Sequence, residues 1–264
     1  MPEISWNLAY WGGEYDWKTG GEEWSEAWGG SEPQWFGSLF PRIHRAFPAA
    51  AVLEIAPGFG RWTKFLIPAC NRYTGIDLSG ECVAACRETF RDACSAQFEQ
   101  NDGLSLEAAP DGIYDLVFSF DSLVHAEADV FDAYVPQILR KLTPGGVAFI
   151  HHSNLAALSP DVENPYARAR SVSGETVAAA VDRAGGKTLV QERVTWGSAP
   201  LSDCFTLFAR KEHPDRKPAR QITNARFMEE AALIRDTQSL WTKSALISAD
   251  SRPIPNAQTP LSVA

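Results

Sequence analysis

The groups most capable of chemistry in this chain cluster at the ends of two apolar runs. Asp121, Ser122 and His125 follow Tyr114–Phe120, and His151, His152 and Asn154 close Val147–His152. Three of the five histidines therefore fall at one predicted edge, with His44 and His213 elsewhere. An imidazole titrates near neutral pH and can take the proton of a hydroxyl, and a neighbouring carboxylate can orient it. His152 or His151 is the expected base, with Asp121 as the orienting acid. Strand alternation sends these two histidines to opposite sides, so one faces the site and the other packs behind it. His125 is either a further base or a contact at a helix start. A second reading has Asp121, His152 and Asn154 hold a divalent cation such as Mg2+, which lowers the pKa of a bound hydroxyl. In a third, the histidines only shape the pocket.

A second constellation lies upstream. The apolar run Val52–Ile55 leads into Ala56-Pro57-Gly58-Phe59-Gly60-Arg61-Trp62, and Tyr73-Thr74-Gly75-Ile76 ends in Asp77, 17 residues after Gly60. Glycines at such a turn let a ligand approach the backbone beside a helix N-terminus. A lone acid after the second strand can accept hydrogen bonds from a ribose diol. The dinucleotide pattern calls for a third glycine where Thr63 stands, which lowers a Rossmann-type dehydrogenase reading.

Elements must hold these groups in place. Strand-like runs at Val52–Ile55, Arg72–Ile76, Ala96–Gln100, Tyr114–Phe120 and Val147–His152 alternate with helix-like runs at Arg61–Cys70, Gly80–Asp92 and Ala128–Leu142. Such alternation implies a parallel sheet covered on both faces. A further helix is expected over Ser173–Ala184, capped by Ser173 with Thr176 in its first turn. The strands Lys187–Trp196 and Cys204–Arg210 are close enough to pair antiparallel. A last amphipathic helix is expected near Asn224–Leu246, and residues 248–264, rich in Ser, Pro and Ala, read as a disordered tail.

The chain has 264 residues, 45% of them hydrophobic, enough for one large core. A formal charge of −9 disfavours a general electrostatic grip on nucleic acid. No secretion signal is read, and no apolar run reaches the roughly 20 residues that span a bilayer, so no membrane is expected and the reading is cytoplasmic. Five cysteines without a secretion signal argue against a disulfide framework. Cys82 and Cys86 lie one helical turn apart and read as buried side chains rather than as a metal pair. Residues 1–35 hold six of the nine tryptophans without a clean helical or strand period. They are expected to form an ordered arm, either a lid over a ligand or a strap on the core.

Together these motifs resemble the class I S-adenosylmethionine-dependent methyltransferases, over about residues 50–211. The resemblance rests on the glycine loop after Glu54, Asp77, Asn101-Asp102-Gly103, the strand Tyr114–Phe118 and Leu142-Thr143-Pro144-Gly145-Gly146. It implies a doubly wound, seven-stranded Rossmann-like α/β sheet whose last strand is antiparallel. It also implies that Glu54, Ala56, Gly58 and Gly60 hold the amino-acid part of the cofactor. Asp77 would meet the ribose hydroxyls and Asp102 the adenine amino group, and Leu78, Gly103 and Phe120 are further expected cofactor contacts. Ala56 replaces the usual first glycine, an addition of one methyl taken as harmless. The expected domain plan is an arm (1–45), a methyltransferase core (46–211), a helical extension (212–247) and the tail (248–264).

The motif text is most similar to bacterial sugar and polysaccharide O-methyltransferases, including those of methylated mannose polysaccharides. The resemblance therefore implies methyl transfer to a hydroxyl of a sugar or oligosaccharide. Trp28, Gln34, Trp35, Tyr166, Arg168, Arg170, Trp196 and Asp203 are the candidate acceptor contacts, of which Trp35, Gln34, Tyr166, Arg170 and Trp196 are favoured. Aromatic faces stack on sugar rings while polar groups read their hydroxyls. Alternatives are an N- or C-methyltransferase of another metabolite and a non-catalytic binding protein on the same fold. The Asn/Asp-Pro-Pro-Tyr signature of amino-methylating nucleic-acid enzymes is absent where Phe118-Ser119-Phe120-Asp121 stands. The apolar potential of the arm and last helix is compatible with a homodimer.

Overall fold

A computed structural model describes residues 3–164 and 166–237. The end of the expected last helix beyond Thr237 and the expected tail lie outside the described residues. Eight strands form one sheet: β1 (Ala49–Ile55), β2 (Cys70–Asp77), β3 (Ala96–Gln100), β4 (Tyr114–Ser119), β5 (Leu142–Ser153), β6 (Gly186–Trp196), β7 (Ala199–Arg210) and β8 (Arg220–Asn224). Their spatial order is β3-β2-β1-β4-β5-β7-β6-β8. Strands β1 to β5 pair in parallel, and β7 runs antiparallel to both β5 and β6.

Two features correct the expected seven-stranded sheet. An eighth strand, β8, pairs in parallel with β6, Val190 opposite Arg220. The antiparallel strand is therefore not the last one in the chain. The polar segment Arg220–Asn224 has no apolar alternation to announce a strand. It forms one because the edge of β6 offers unpaired backbone groups that need partners.

Period-2 alternation splits the core into two layers. Leu53, Ile55, Val117, Ala148 and Ile150 face the helices Ala128–Lys141 and Gly174–Arg183. Val52, Tyr73, Leu116, Phe118, Phe149 and Phe205 face the other way, onto Trp28, Trp35, Leu39, Trp62 and Phe227. The second layer is thus built partly by the N-terminal arm and the helix Phe227–Thr237. The arm is a series of short helical turns interrupted at Gly20-Gly21 and Gly29-Gly30, which is why it shows no single period.

The helix expected at Arg61–Cys70 is shorter in the structure: one turn, Thr63–Leu66, followed by a 3-10 turn through Pro68. Proline cannot donate the backbone bond that would extend the helix. Ser173 caps the helix Gly174–Arg183 in a full capping box with Thr176. No helix among the described residues is long and apolar enough to cross a membrane.

Candidate active site

A cleft of about 780 Å3, part of it open to solvent, lies at the carboxyl ends of β1, β2 and β4. This is where ligands bind in open α/β sheets. Its floor includes Ile55, Ala56 and Gly58 from the loop after β1, Asp77, Leu78 and Ser79 after β2, and Gly103 after β3. Asp121, Ser122 and His125 form the wall after β4. Tyr134 closes one side and hydrogen-bonds Asn101 at 2.8 Å.

The loop geometry explains several residues. Asp77 accepts from Gly58 N at 3.0 Å and from Ser79 N at 2.8 Å, tying the glycine loop to the end of β2. Burial raises its pKa to about 6, against those backbone bonds. Gly58 stands at φ +59° beneath Trp17, whose ring would lie 3.0 Å from an added Cβ. Gly60 stands at φ +88°, and its Cβ would meet Phe90 at 2.5 Å. Gly60 is therefore a packing glycine that lies outside the cleft lining. Ala56 also sits in the left-handed region, at φ +57°. Its extra methyl is thus a strained choice rather than a harmless one, because an L side chain there crowds its own backbone.

Glu54 is outside the lining as well. Its carboxylate accepts from Thr63 Oγ1 at 2.7 Å and from the Tyr73 hydroxyl, and burial raises its pKa to about 7 against these bonds. Asp102 is exposed. Its Oδ1 accepts from Leu104 N at 2.9 Å and Ser105 N at 2.7 Å, which holds its pKa down and bends the loop that presents Gly103. Phe120 is buried against the His151 ring, 4.6 Å between centroids, rather than in the cleft.

The arm supplies the roof. Ile4, Asn7, Trp11, Trp17 and Trp24 line the cleft, and Trp17 stacks on Phe59 at 4.6 Å. Trp28 and Trp35 are core residues, 1% and 3% exposed. The arm is therefore lid over its first half and strap over its second. The roof rings are missed by motif reasoning because their placement depends on the arm crossing the glycine loop.

The histidines divide in an unexpected way. His152 is fully buried on the helix side, against Phe131. Its Nδ1 donates to Ser153 O at 2.7 Å, and its Nε2 pairs with Thr206 Oγ1 at 2.7 Å. Burial lowers its pKa to about 4. It is a core histidine, which corrects both its expected catalytic and its expected metal role. His151 lies on the opposite face, as alternation requires, but its two nitrogens are engaged by Asp121 N at 3.1 Å and Asp203 Oδ1 at 2.9 Å. The carboxylate of Asp121 does not orient it. That carboxylate pairs with Arg61 at 2.8 Å.

His125 is the histidine that lines the cleft. Its Nδ1 pairs with Ala167 O at 3.0 Å, and its ring lies 5.1 Å from that of Trp11. A carbonyl only accepts, so Nδ1 carries the proton and Nε2 keeps its lone pair. Burial, with Arg168 nearby, lowers its pKa to about 4, so the ring is neutral at physiological pH.

The expected metal set is not assembled. Asn154 donates to Leu201 O at 2.9 Å and accepts from Gly174 N at 2.9 Å, serving the helix start. No group of three or more His, Cys, Asp or Glu among the described residues is arranged to hold a metal ion. Cys82 lines the cleft and Cys86 contacts Gly58 O, both as buried thiols.

The favoured acceptor contacts also lie elsewhere. Gln34 and Trp35 are buried in the arm, and Trp196 packs on Trp28 and His151. Arg170 donates to Pro160 O and Val162 O of its own loop. Tyr166 is 47% exposed, with Arg168 over its ring. Arg61 is a residue the motif reading passed over. It lies buried between Trp24 and Trp62, 5.1 and 4.6 Å from their ring centres, and bonds Ser25 Oγ at 3.1 Å. Its only sequence signal is its place directly after Gly60.

Residues 52–146 match the model of a methyltransferase domain. A hybrid PKS-NRPS synthetase of Macrophomina phaseolina is 24% identical over 163 residues, covering 59% of this chain and 4% of that protein. The equisetin synthetase of Fusarium heterosporum is 26% identical over 125 residues, covering 44% and 3%. The chain thus spans only a small part of these curated relatives. Among solved structures, an S-adenosylmethionine-dependent methyltransferase from Clostridium acetobutylicum superposes with a TM-score of 0.55 at 14% identity, covering 75% of this chain and 96% of its own. The DhpI-SAH complex gives 0.52 at 20% identity, covering 81% and 97%. The N-methyltransferase NodS of Bradyrhizobium japonicum gives 0.53 at 16%, covering 67% and 95%. The match over residues 52–146 is to a methyltransferase domain, and the fold is similar to that of these methyltransferase structures.

Proposed function

We propose that this protein transfers the methyl group of S-adenosylmethionine to a hydroxyl of a small acceptor seated beneath Trp11, Trp17 and Trp24. The observation that carries the oxygen reading is His125, which lines the cleft with Nδ1 anchored on Ala167 O, so that the lone pair of the neutral ring is on Nε2.

The cleft fits the cofactor. The left-handed loop at Ala56 and Gly58, the Asp77 carboxylate and the apolar pair Leu78 and Gly103 make a polar-to-apolar cradle of the right character. When bound, the cofactor supplies a methyl group on a positively charged sulfur that leaves as a neutral thioether. Gly58 and Ala56 would receive its amino-acid part, Asp77 its ribose hydroxyls, and Leu78, Gly103 and Tyr134 its adenine. The roof rings exclude water and suit the positive sulfur, since aromatic faces attract cations.

His125 Nε2 accepts the hydrogen of the acceptor hydroxyl and takes its proton as the new C–O bond forms. An oxygen that has just gained a methyl group is strongly acidic until that proton leaves. A base with a pKa near 4 therefore suffices, and it stays unprotonated and ready at neutral pH. The roof suits an acceptor with one flat apolar face, such as a sugar ring or a phenol. The sugar reading now rests on this roof, because Gln34, Trp35, Trp196 and Arg170 do not meet the cleft.

The test has two parts. Calorimetric titration with S-adenosylhomocysteine should show binding, and Asp77→Ala should weaken it. A methyl-transfer screen over sugars, glycans, phenols and amines should then find a hydroxyl acceptor. On that acceptor, His125→Gln should lower turnover by about 10²–10⁴-fold. Turnover that is indifferent to His125→Gln would transfer the proposal to a nitrogen nucleophile, which needs no base of this kind. Absence of S-adenosylhomocysteine binding would refute it outright.

A further inference from the structure

We infer that His151 is a positioning residue, a neutral imidazole in the Nε2–H form that holds the backbone of Asp121 in place through its Nδ1 lone pair. This deepens the methyl-transfer reading and concerns the wall of the same cleft. The geometry allows only one assignment. The Asp121 N–H points at His151 Nδ1 across 3.1 Å, and a backbone N–H can only donate. Nδ1 must therefore be bare. The single ring proton sits on Nε2, which donates to Asp203 Oδ1 at 2.9 Å. A protonated Nδ1 would set two N–H groups against each other.

The support behind the ring is complete. Asp203 is fully buried, and it receives Arg168 Nε at 3.0 Å and the Ser202 hydroxyl as well as His151. These partners keep it ionised, so it accepts rather than donates. Phe120, Trp196 and Phe205 surround the imidazole at 4.6, 5.0 and 4.9 Å between centroids.

What this arrangement holds is a strained turn. Asp121 stands at φ +62°, in the left-handed region. From there its carboxylate reaches Arg61 while the residue lines the cleft. The Ser122 hydroxyl, one residue on, donates to Ala56 O at 2.9 Å and so joins this turn to the glycine loop. The chain Arg168–Asp203–His151–Asp121 thus runs from buried Asp203 on β7 to the wall of the cleft. The opposite tautomer is set at His125 and His152, where Nδ1 donates to the carbonyls of Ala167 and Ser153.

The experiment reads the tautomer directly. The full chain, labelled with 15N-histidine, is examined by long-range 1H–15N correlation at neutral pH, and the His151 signals are assigned by their loss in His151→Asn. His151 should show a protonated Nε2 and a bare Nδ1, while His125 and His152 show the reverse. A protonated His151 Nδ1, alone or with Nε2, overturns the inference.

Titration with S-adenosylhomocysteine supplies the second readout. In His151→Asn the side-chain oxygen falls where Nδ1 lies and still accepts from Asp121. In His151→Gln the amide reaches Asp203 but offers nothing to Asp121. Affinity should stay within about twofold in the asparagine variant and fall by about 3–10-fold in the glutamine variant, the worth of one lost hydrogen bond. Equal affinities, or the reverse order, overturn the inference. A wild-type protein without affinity for S-adenosylhomocysteine refutes the methyl-transfer reading instead, and the NMR result then decides the His151 assignment alone.

Discussion

Replacing Gly60 with alanine separates the roles of the two loop glycines. Gly60 adopts φ +88°, and an added Cβ would lie 2.5 Å from Phe90 Cε2 and 2.9 Å from its Cζ. The left-handed backbone costs an L residue about 1–2 kcal/mol. Overfilling a packed site adds about 1–3 kcal/mol. A stiffer unfolded chain offsets about 0.5–1 kcal/mol of this. Gly60→Ala should therefore destabilise by about 3 kcal/mol, a fall in Tm of roughly 6–12 °C for a chain of this size. Thermal and urea unfolding would measure it. Adding Phe90→Leu should recover the contact portion, about 1–2 kcal/mol, as coupling in a double-mutant cycle, but not the backbone portion. At low temperature the folded Gly60→Ala protein should bind S-adenosylhomocysteine with less than the tenfold loss that about 1.4 kcal/mol represents. Gly58→Ala should behave differently, because its Cβ points at Trp17 in the roof, and there binding should suffer. A Gly60→Ala protein with wild-type Tm, or strict additivity with Phe90→Leu, would refute the packing role. Normal stability with abolished binding would return Gly60 to the ligand site.

Ala56→Gly should raise stability by about 0.5–1 kcal/mol in urea unfolding, since relief of the left-handed alanine exceeds the entropy glycine adds to the unfolded chain. Glu54 gives a pH signature. Its folded pKa of about 7 lies above the ordinary 4.5, so its contribution is full below 4.5 and is lost as pH rises towards 7. Relative to Glu54→Gln, the wild type should therefore lose about 3 kcal/mol between pH 4.5 and 8, and a pH-independent difference would contradict the burial argument. Ser173→Ala should cost about 1 kcal/mol by removing the capping box, with no change in S-adenosylhomocysteine affinity, as unfolding and calorimetry would show.

Local chemistry and periodicity carried the reading of the sheet a long way. Strand-like runs marked β1 to β7, Ser173 and Thr176 marked a helix start, and the glycine turn with Asp77 marked a ligand cleft. Each of these signals lies within a few residues, where sterics and hydrogen bonding act on the chain directly. β8 escaped because its pairing is imposed by a neighbouring edge rather than by its own side chains.

The sequence alone determined the α/β class of the sheet and the glycine turn that borders the cleft, and it put Asp121 and the histidines at neighbouring strand ends. It also required His151 and His152 to face opposite ways, since a strand has a period of two. Only the tertiary structure decided which histidine reaches the cleft. His152 met Thr206 and Phe131, His151 met Asp203 and the Asp121 backbone, and His125, with Nδ1 on Ala167 O, lined the wall. The arm was likewise split between lid and strap only by where it crosses the sheet. These outcomes depend on partners distant in sequence, and no local pattern records which distant groups a side chain will find when the layers close.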